Sequence, residues 1–411
     1  MKQKTAVMYG AGNIGRGFIG ALLSQAGYKV IFVDIADSVV DRLIQEHSYP
    51  VRIVTNEGHE DIEITNVDAV HGQDQEAVAD VIASADIMAT AVGASVLKYI
   101  VPNLAAGFKK RFLSGAKPLN VIICENLLNA DTILENMLLS EFSPDEQRRF
   151  KQSVGLVEAS IGRMVPVQTP QMKDGEPLRV CVEKYGFLPV DQAAFKGDIP
   201  DIKNMIPYEP FDFYLKRKLY IHNMGHAVCA YLGQYFNYNY IYETIENADI
   251  QLIVHHAMLE SAQALSSQYN VALDTIIRHI DDLVFRFHNQ ALQDTCGRVG
   301  ADPKRKLKPD DRLIGAAMMC LDQGVVPAYI CAGIGSAIYA YIAEYRMAQT
   351  TDQAAVILSQ ASGLRQDGSQ HEQILFRAAI DVYKLILQGT DAAALRKQAM
   401  LMTAAYAGDI V

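Results

Sequence analysis

Gly10-Ala11-Gly12-Asn13-Ile14-Gly15 follows the apolar run Thr5 to Tyr9 and opens a helix-like stretch, Gly17 to Gln25. The glycine pattern is weak by itself, but between a strand and a helix it points to a dinucleotide-binding βαβ unit. Gly10 permits the tight turn and Gly12 lets the backbone approach a pyrophosphate. Gly15 lets the helix pack closely on the strand while its N-terminal amides face phosphate oxygens. Gly10, Gly12, Asn13, Ile14 and Gly15 are therefore candidate cofactor contacts. The alternative is a strand-turn-helix that uses glycine for packing alone.

The alternation continues. Lys29 to Asp34, Asp86 to Ala91 and Asn120 to Cys124 read as buried strands, with Val39 to Glu46 as an intervening helix. Strands and helices in turn, with both sheet faces covered, predict a parallel α/β, Rossmann-like domain. Asp34 closes the second strand about twenty residues beyond the glycines, where a carboxylate accepts hydrogen bonds from the adenosine ribose. It would also repel a 2′-phosphate, so NAD is expected rather than NADP, with Lys29 and Arg42 near enough in sequence to bear on the choice. An Asp ending a strand can also be a plain turn residue. Ligands of such sheets sit at the carboxyl ends of the strands, which makes Ala91, Val92 and Gly93 further candidates to line the cofactor pocket.

With 411 residues the chain exceeds what one core usually covers. One more strand-like segment, Leu178 to Lys184, precedes a Pro- and Asp-rich stretch, Phe187 to Pro210, that reads as a linker. Beyond it, Phe211 to Leu232, Tyr242 to Gln268, Ala272 to Phe287, Asp310 to Leu321, Pro327 to Arg346 and Ile374 to Gln388 carry apolar residues at helical spacing. The expected organisation is a Rossmann-like NAD-binding domain over 1–200 and a mainly helical substrate domain over 201–411. A net charge of -10 disfavours nucleic acid as a partner. No apolar window has membrane-spanning length, the start carries no secretory apolar run, and the six cysteines form no Cys-x-x-Cys pair, so a cytoplasmic protein is expected.

Lys218, Asn223 and His226 fall in the helix-like region that opens the second domain. On an ideal α-helix they lie at about 0, 140 and 80 degrees over roughly 12 Å of axis, so one side of the helix presents all three. A lysine can be a general base if its surroundings disfavour its charge, and Asn and His can hydrogen-bond a reacting oxygen. Each residue taken alone reads as a solvated lysine or a buried polar group satisfying backbone.

Lys-x4-Asn-x2-His, here Lys218, Asn223 and His226, resembles the motif of the polyol-specific long-chain dehydrogenases, the mannitol dehydrogenase family. Within it, Gly10-Ala-Gly-Asn-Ile-Gly-Arg-Gly-Phe-Ile-Gly20 is similar to the members that act on a polyol phosphate. Further likeness runs through Cys124-Glu-Asn126, Arg163-Met-Val-Pro166, Gly225-His-Ala227, Arg286-Phe287, Asn289, Arg298-Val-Gly300, Arg305-Lys-Leu307 and Asp311-Arg-Leu-Ile314. The resemblance implies a Rossmann-like first domain, a helical second domain and a site between them. It implies NAD-dependent, zinc-independent interconversion of mannitol 1-phosphate and fructose 6-phosphate, with Lys218 as base and Asn223 and His226 polarising the oxygen. Asn126, Arg163 and Asn289 are implied near the substrate or the lysine. The chain departs from the family at Gly162, where relatives usually carry Asp, and its tail beyond Gly363 is longer than in the shorter relatives.

His222 and His226 are spaced to clasp a metal, but position 223 is Asn rather than the Glu of a zinc hydrolase helix, and no metal is expected. Arg298, Lys304, Arg305, Lys306 and Lys308 form the densest basic stretch. Arg298, Arg305 and Lys306 are the candidates for a substrate phosphate, against a solvated loop as the alternative. Two other functions stay open: a reductase of keto-uronates such as fructuronate or tagaturonate, and a non-catalytic NAD-binding sensor.

Overall fold

The computed structural model describes residues 3–409. Two compact units divide the chain after Asp212. The first contains every strand among the described residues: β1 (Thr5–Tyr9), β2 (Lys29–Asp34), β3 (Ser48–Thr55), β4 (Gly58–Thr65), β5 (Val67–His71), β6 (Ile87–Thr90), β7 (Leu119–Ile123), β8 (Val154–Glu158), β9 (Val180–Val182), β10 (Leu188–Asp191) and β11 (Met205–Tyr208). Six of them form one parallel sheet in the order β5-β2-β1-β6-β7-β8.

Period-two alternation shows why these runs are continuously apolar. Ala6 and Met8 of β1 enter one core and Val7 and Tyr9 the other; in β7, Ile122 goes to the first and Val121 and Ile123 to the second. Both faces of the sheet are thus buried, as helical crossovers require. The chain order reverses between β1 and β6, which is where doubly wound sheets bind ligands, outside the carboxyl ends of the strands.

Phe187 to Pro210 is more than a linker: it contains β10 and β11, which pair in parallel from Leu188–Met205 to Asp191–Tyr208. Pro189 and Pro207 hide these strands from a sequence reading. They are tolerated because a two-stranded sheet consists only of edges, where a missing N–H leaves no ladder partner unpaired.

The second unit is helical, and the main helices follow the apolar spacing. The stretch Tyr242 to Gln268 divides at Asn247 into Ile241–Glu246 and Ala248–Tyr269, because the Asn247 Oδ1 caps the longer helix by accepting from the amides of Asp249 and Ile250 at 3.1 and 3.2 Å. The tail is part of this core. Helix Gln370–Leu387 buries Leu375, Ala379, Val382 and Tyr383, and helix Ala392–Tyr406 buries Leu395 and Ala399. Among the described residues no helix is long and apolar enough to cross a membrane.

Candidate active site

In the first unit the glycine-rich turn leaves β1 at the point where the strand order reverses. Gly10 has φ +102°, and a Cβ there would lie 2.5 Å from the Ala91 carbonyl oxygen, so both the turn and the close approach of β6 demand glycine. A Cβ on Gly15 would run into the Gly10 carbonyl. Gly12 is the opposite case: nothing lies within 4 Å of where its Cβ would be. Two glycines are fixed by protein contact and the third opens onto free space, which is the arrangement a pyrophosphate approaching the backbone needs. Asn13 and Ile14 begin the helix, which widens into a π turn over Gly15–Gly20.

The turn is braced by groups whose role the sequence did not disclose. Buried Arg16 donates from Nε to the Ala11 carbonyl at 2.7 Å and from Nη1 to that of Leu178 at 2.6 Å. Asp34 Oδ2 accepts the Ala11 amide at 2.6 Å, while Oδ1 accepts those of Ile35 and Ala36 at 2.8 and 3.0 Å. The expected ribose carboxylate therefore also holds the loop. Buried Glu125 accepts the amides of Val92 at 3.0 Å and Gly93 at 2.7 Å, fixing the turn that follows β6. At the end of β6 the Thr90 hydroxyl is buried without a hydrogen-bond partner.

Asn126 is exposed just beyond β7. Arg163 lies over the Phe18 ring at 4.9 Å and donates to the carbonyls of Gly17 at 2.9 Å, of Lys184 at 3.5 Å and of Tyr185, so it fastens its loop to the cofactor helix. A Cβ at Gly162 would meet the Tyr185 ring at 3.0 Å. The Tyr185 ring thus occupies the space that a side chain at 162 would need.

In the second unit Lys218, Asn223 and His226 are partly buried on one continuous helical run from Asp212 to Tyr235. The run is not an ideal α-helix: Lys218–Asn223 forms a π turn. An i→i+5 ladder brings residues five apart close to one face, so Lys218 and Asn223 stand nearer in azimuth than the roughly 140 degrees of α geometry.

His222 on this helix is buried and its pKa is pushed far below the usual value, first by burial and then by Arg286, His226, His279 and Lys218. Burial, with Arg217 and Arg286, does the same to His279. Lys218 and Arg286 thus both lie near enough to the His222 ring to disfavour its protonation.

His226 stacks on Phe287 with centroids 4.8 Å apart, and its Nε2 lies 3.3 Å from Asp294 Oδ2. Arg298 occupies the other oxygen, donating from Nε at 2.8 Å. Arg305 pairs with Asp302 at 3.0 Å and with Asp311 at 3.2 Å. Lys306 is only 4% exposed and donates to the Ala301 carbonyl; burial first, then Arg312 and Arg305, lower its pKa to about 8. Thus two of the three expected phosphate ligands are held by carboxylates and the third is enclosed, contacts that keep a short basic segment folded. Asn289 caps the turn Gln290–Leu292 through its Oδ1, which accepts from Ala291 at 3.1 Å. Among the described residues, no group of three or more His, Cys, Asp or Glu side chains is arranged to hold a metal ion.

Open backbone over Gly12, at the point where the strand order of a parallel sheet reverses, is the arrangement of a dinucleotide-dependent dehydrogenase. The chain belongs to the mannitol dehydrogenase family: residues 4–204 match its Rossmann domain and residues 211–388 its C-terminal domain. It is 35% identical over 333 residues to the mannitol-1-phosphate 5-dehydrogenase of Brevibacillus brevis, covering 81% of this chain and 85% of that one. It is 37% identical over 331 residues to the enzyme of the same name from Thermoanaerobacter pseudethanolicus, covering 80% and 84%. In fold it is similar to a substrate-free D-sorbitol dehydrogenase, with TM-score 0.80 and 14% identity over 96% of this chain and 95% of that one. Mannitol 2-dehydrogenase from Pseudomonas fluorescens, in ternary complex with NAD and D-mannitol, matches with TM-score 0.72 and 14% identity over 97% and 94%.

Proposed function

We propose that this chain is an NAD-dependent dehydrogenase that interconverts D-mannitol 1-phosphate and D-fructose 6-phosphate. The observation that carries the reading is Lys218, Asn223 and His226 on one continuous helical run, in a chain 35% and 37% identical to relatives bearing that activity in their names.

In the oxidative direction Lys218 takes the proton of the C5 hydroxyl, Asn223 hydrogen-bonds its oxygen, and His226 orients the substrate through a neighbouring hydroxyl. NAD, when bound, accepts the hydride that leaves C5. The first unit supplies the cradle: the Gly12 backbone and the amides of Asn13 and Ile14 for the pyrophosphate, Asp34 for the ribose, and the turn at Ala91, Val92 and Gly93 beside the nicotinamide. Asn126 and Asn289 contact the substrate, and Arg163 supports its own loop. The compartment is the cytoplasm, where six buried free thiols remain reduced.

The test is a panel assayed by NADH consumption. Fructose 6-phosphate should be turned over and fructuronate should not. Turnover of fructuronate alone would move the substrate to the keto-uronates, and NADH binding without turnover of any ketose would make the protein a sensor.

A further inference from the structure

We infer that Asp294 is a positioning residue for the reaction, fixing which nitrogen of His226 carries the proton and which one is left to meet a substrate hydroxyl. The inference rests on the assignment of Lys218, Asn223 and His226 as the catalytic set.

Asp294 has no motif of its own in the sequence, and its contacts are what single it out. Its side chain is 10% exposed and that of His226 14%, so the 3.3 Å approach of Nε2 to Oδ2 is largely shielded from water. The Phe287 ring fixes the plane of the imidazole, at 19° to its own. Burial would raise the Asp294 pKa, but hydrogen bonds from His226 and Arg298 outweigh it and hold the carboxyl below the usual range. A carboxylate only accepts, so the imidazole nitrogen facing it must be the protonated one. Among the described residues no hydrogen bond reaches His226 Nδ1, which in the neutral ring is then the acceptor.

The backbone around Asp294 is fastened on both sides. Its carbonyl accepts the Ile241 amide at 2.9 Å, the Cys296 amide donates to the Asn239 carbonyl at 2.9 Å, and Thr295 bridges to Tyr240. Thr295 also caps the short helix Cys296–Val299, which carries Arg298. Arg298 thereby has a task in this arrangement that needs no substrate phosphate: it occupies Oδ1 and leaves Oδ2 to the histidine. An oriented, single-tautomer imidazole is what a step with a defined hydroxyl geometry requires, and a ring free to flip would present the wrong atom for part of the time.

The test combines Asp294→Asn, Asp294→Glu, His226→Ala and the double variant Asp294→Asn/His226→Ala, assayed with fructose 6-phosphate and NADH. Asp294→Asn should lower kcat by at least about tenfold, with KM for the ketose and NADH affinity within about threefold of wild type. Asp294→Glu should recover part of the loss. Because Asp294 acts through His226, the double variant should be no slower than His226→Ala alone. Full kcat in folded Asp294→Asn, or losses that multiply in the double variant, would overturn the inference. Should Asp294→Asn not fold, ring 15N shifts of His226 in the wild-type protein decide instead: an Nε2–H neutral tautomer supports the inference and an Nδ1–H tautomer sinks it. Lys218→Ala run alongside separates the two ideas, since near-normal turnover there would defeat the catalytic assignment whatever Asp294 does.

Discussion

The turn Gly10–Gly15 and the helix Lys218–His226 are both short functional segments, and a π turn lies in each helix, over Gly15–Gly20 in the first and Lys218–Asn223 in the second. They differ in what they are made of. The first is a site of backbone, where amides and empty space do the binding and glycine is chosen for what it lacks. The second is a site of side chains, and its groups are held by partners distant in sequence: Phe287 and Asp294 for His226, and Arg286 and the neutral His279 near His222. A backbone site should therefore fail through steric intrusion, and a side-chain site through loss of a functional group with the fold intact.

Lys218→Ala is the sharpest form of that contrast. Removing the base should cost about 10²- to 10⁴-fold in kcat, while NADH affinity, measured by fluorescence titration, stays near wild type because the cradle lies in the other unit. Turnover within a few-fold of wild type would break the comparison at its strongest point.

Gly12→Val is the complementary intrusion. Nothing lies within 4 Å of the Gly12 Cβ position, so the fold has room for a side chain and Tm should barely move. The pyrophosphate does not have that room, and KM for NADH should rise by about tenfold or more while kcat at saturating cofactor is largely kept. A large drop in Tm with unchanged KM would mean that the space belongs to the packing of the protein.

These two expectations mirror how much was legible in the sequence. Gly10, Gly12 and Gly15 could be read individually, since each answers a local backbone demand, and the four apolar runs Thr5–Tyr9, Lys29–Asp34, Asp86–Ala91 and Asn120–Cys124 fall on β1, β2, β6 and β7, to within a residue at each end, because both their faces are buried. The hairpin of β3 and β4 was not legible, because Gly58–Thr65 is largely exposed and charged and so lacks an apolar signature. Lys218, Asn223 and His226 came through resemblance to a family, and the π turn that draws Lys218 and Asn223 together has no sequence signal. Glu125 and Asp294 could not be found as supports, because a carboxylate's partner across the fold leaves no trace in spacing.

A smaller effect, on stability alone, separates structural carboxylates from catalytic ones. Glu260 is buried and caps the helix Ala328–Glu344 from outside, accepting the amides of Tyr329 at 2.8 Å and Ile330 at 3.0 Å. Burial nevertheless raises its pKa to about 8. With the folded value above the unfolded one, the folded state holds the proton more tightly. The contribution is complete below the unfolded pKa of about 4.3 and is lost as pH rises through about 8. Thermal melts should show stability declining across that window in wild type, by on the order of a few kcal/mol, and a flatter profile in Glu260→Gln. Equal slopes in the two proteins would assign the decline to other groups.

The smallest effect concerns Arg305, where the two kinds of site meet in one residue. Its Nε and Nη1 are taken by Asp302 and Asp311, and its side chain is 45% exposed. A guanidinium has five N–H donors, so the Nη2 end remains for a phosphate oxygen. A charge-assisted hydrogen bond is worth about 1.5 to 3 kcal/mol when shielded, and solvent at a half-exposed site reduces that toward the value of a surface ion pair. Arg305→Gln should accordingly raise KM for fructose 6-phosphate by only about three- to tenfold. Unphosphorylated fructose, which has nothing to offer the guanidinium, should show no change in kcat/KM. Equal losses on both sugars would mean that the ion pairs with Asp302 and Asp311 are the whole function of the residue, and that phosphate is bound elsewhere.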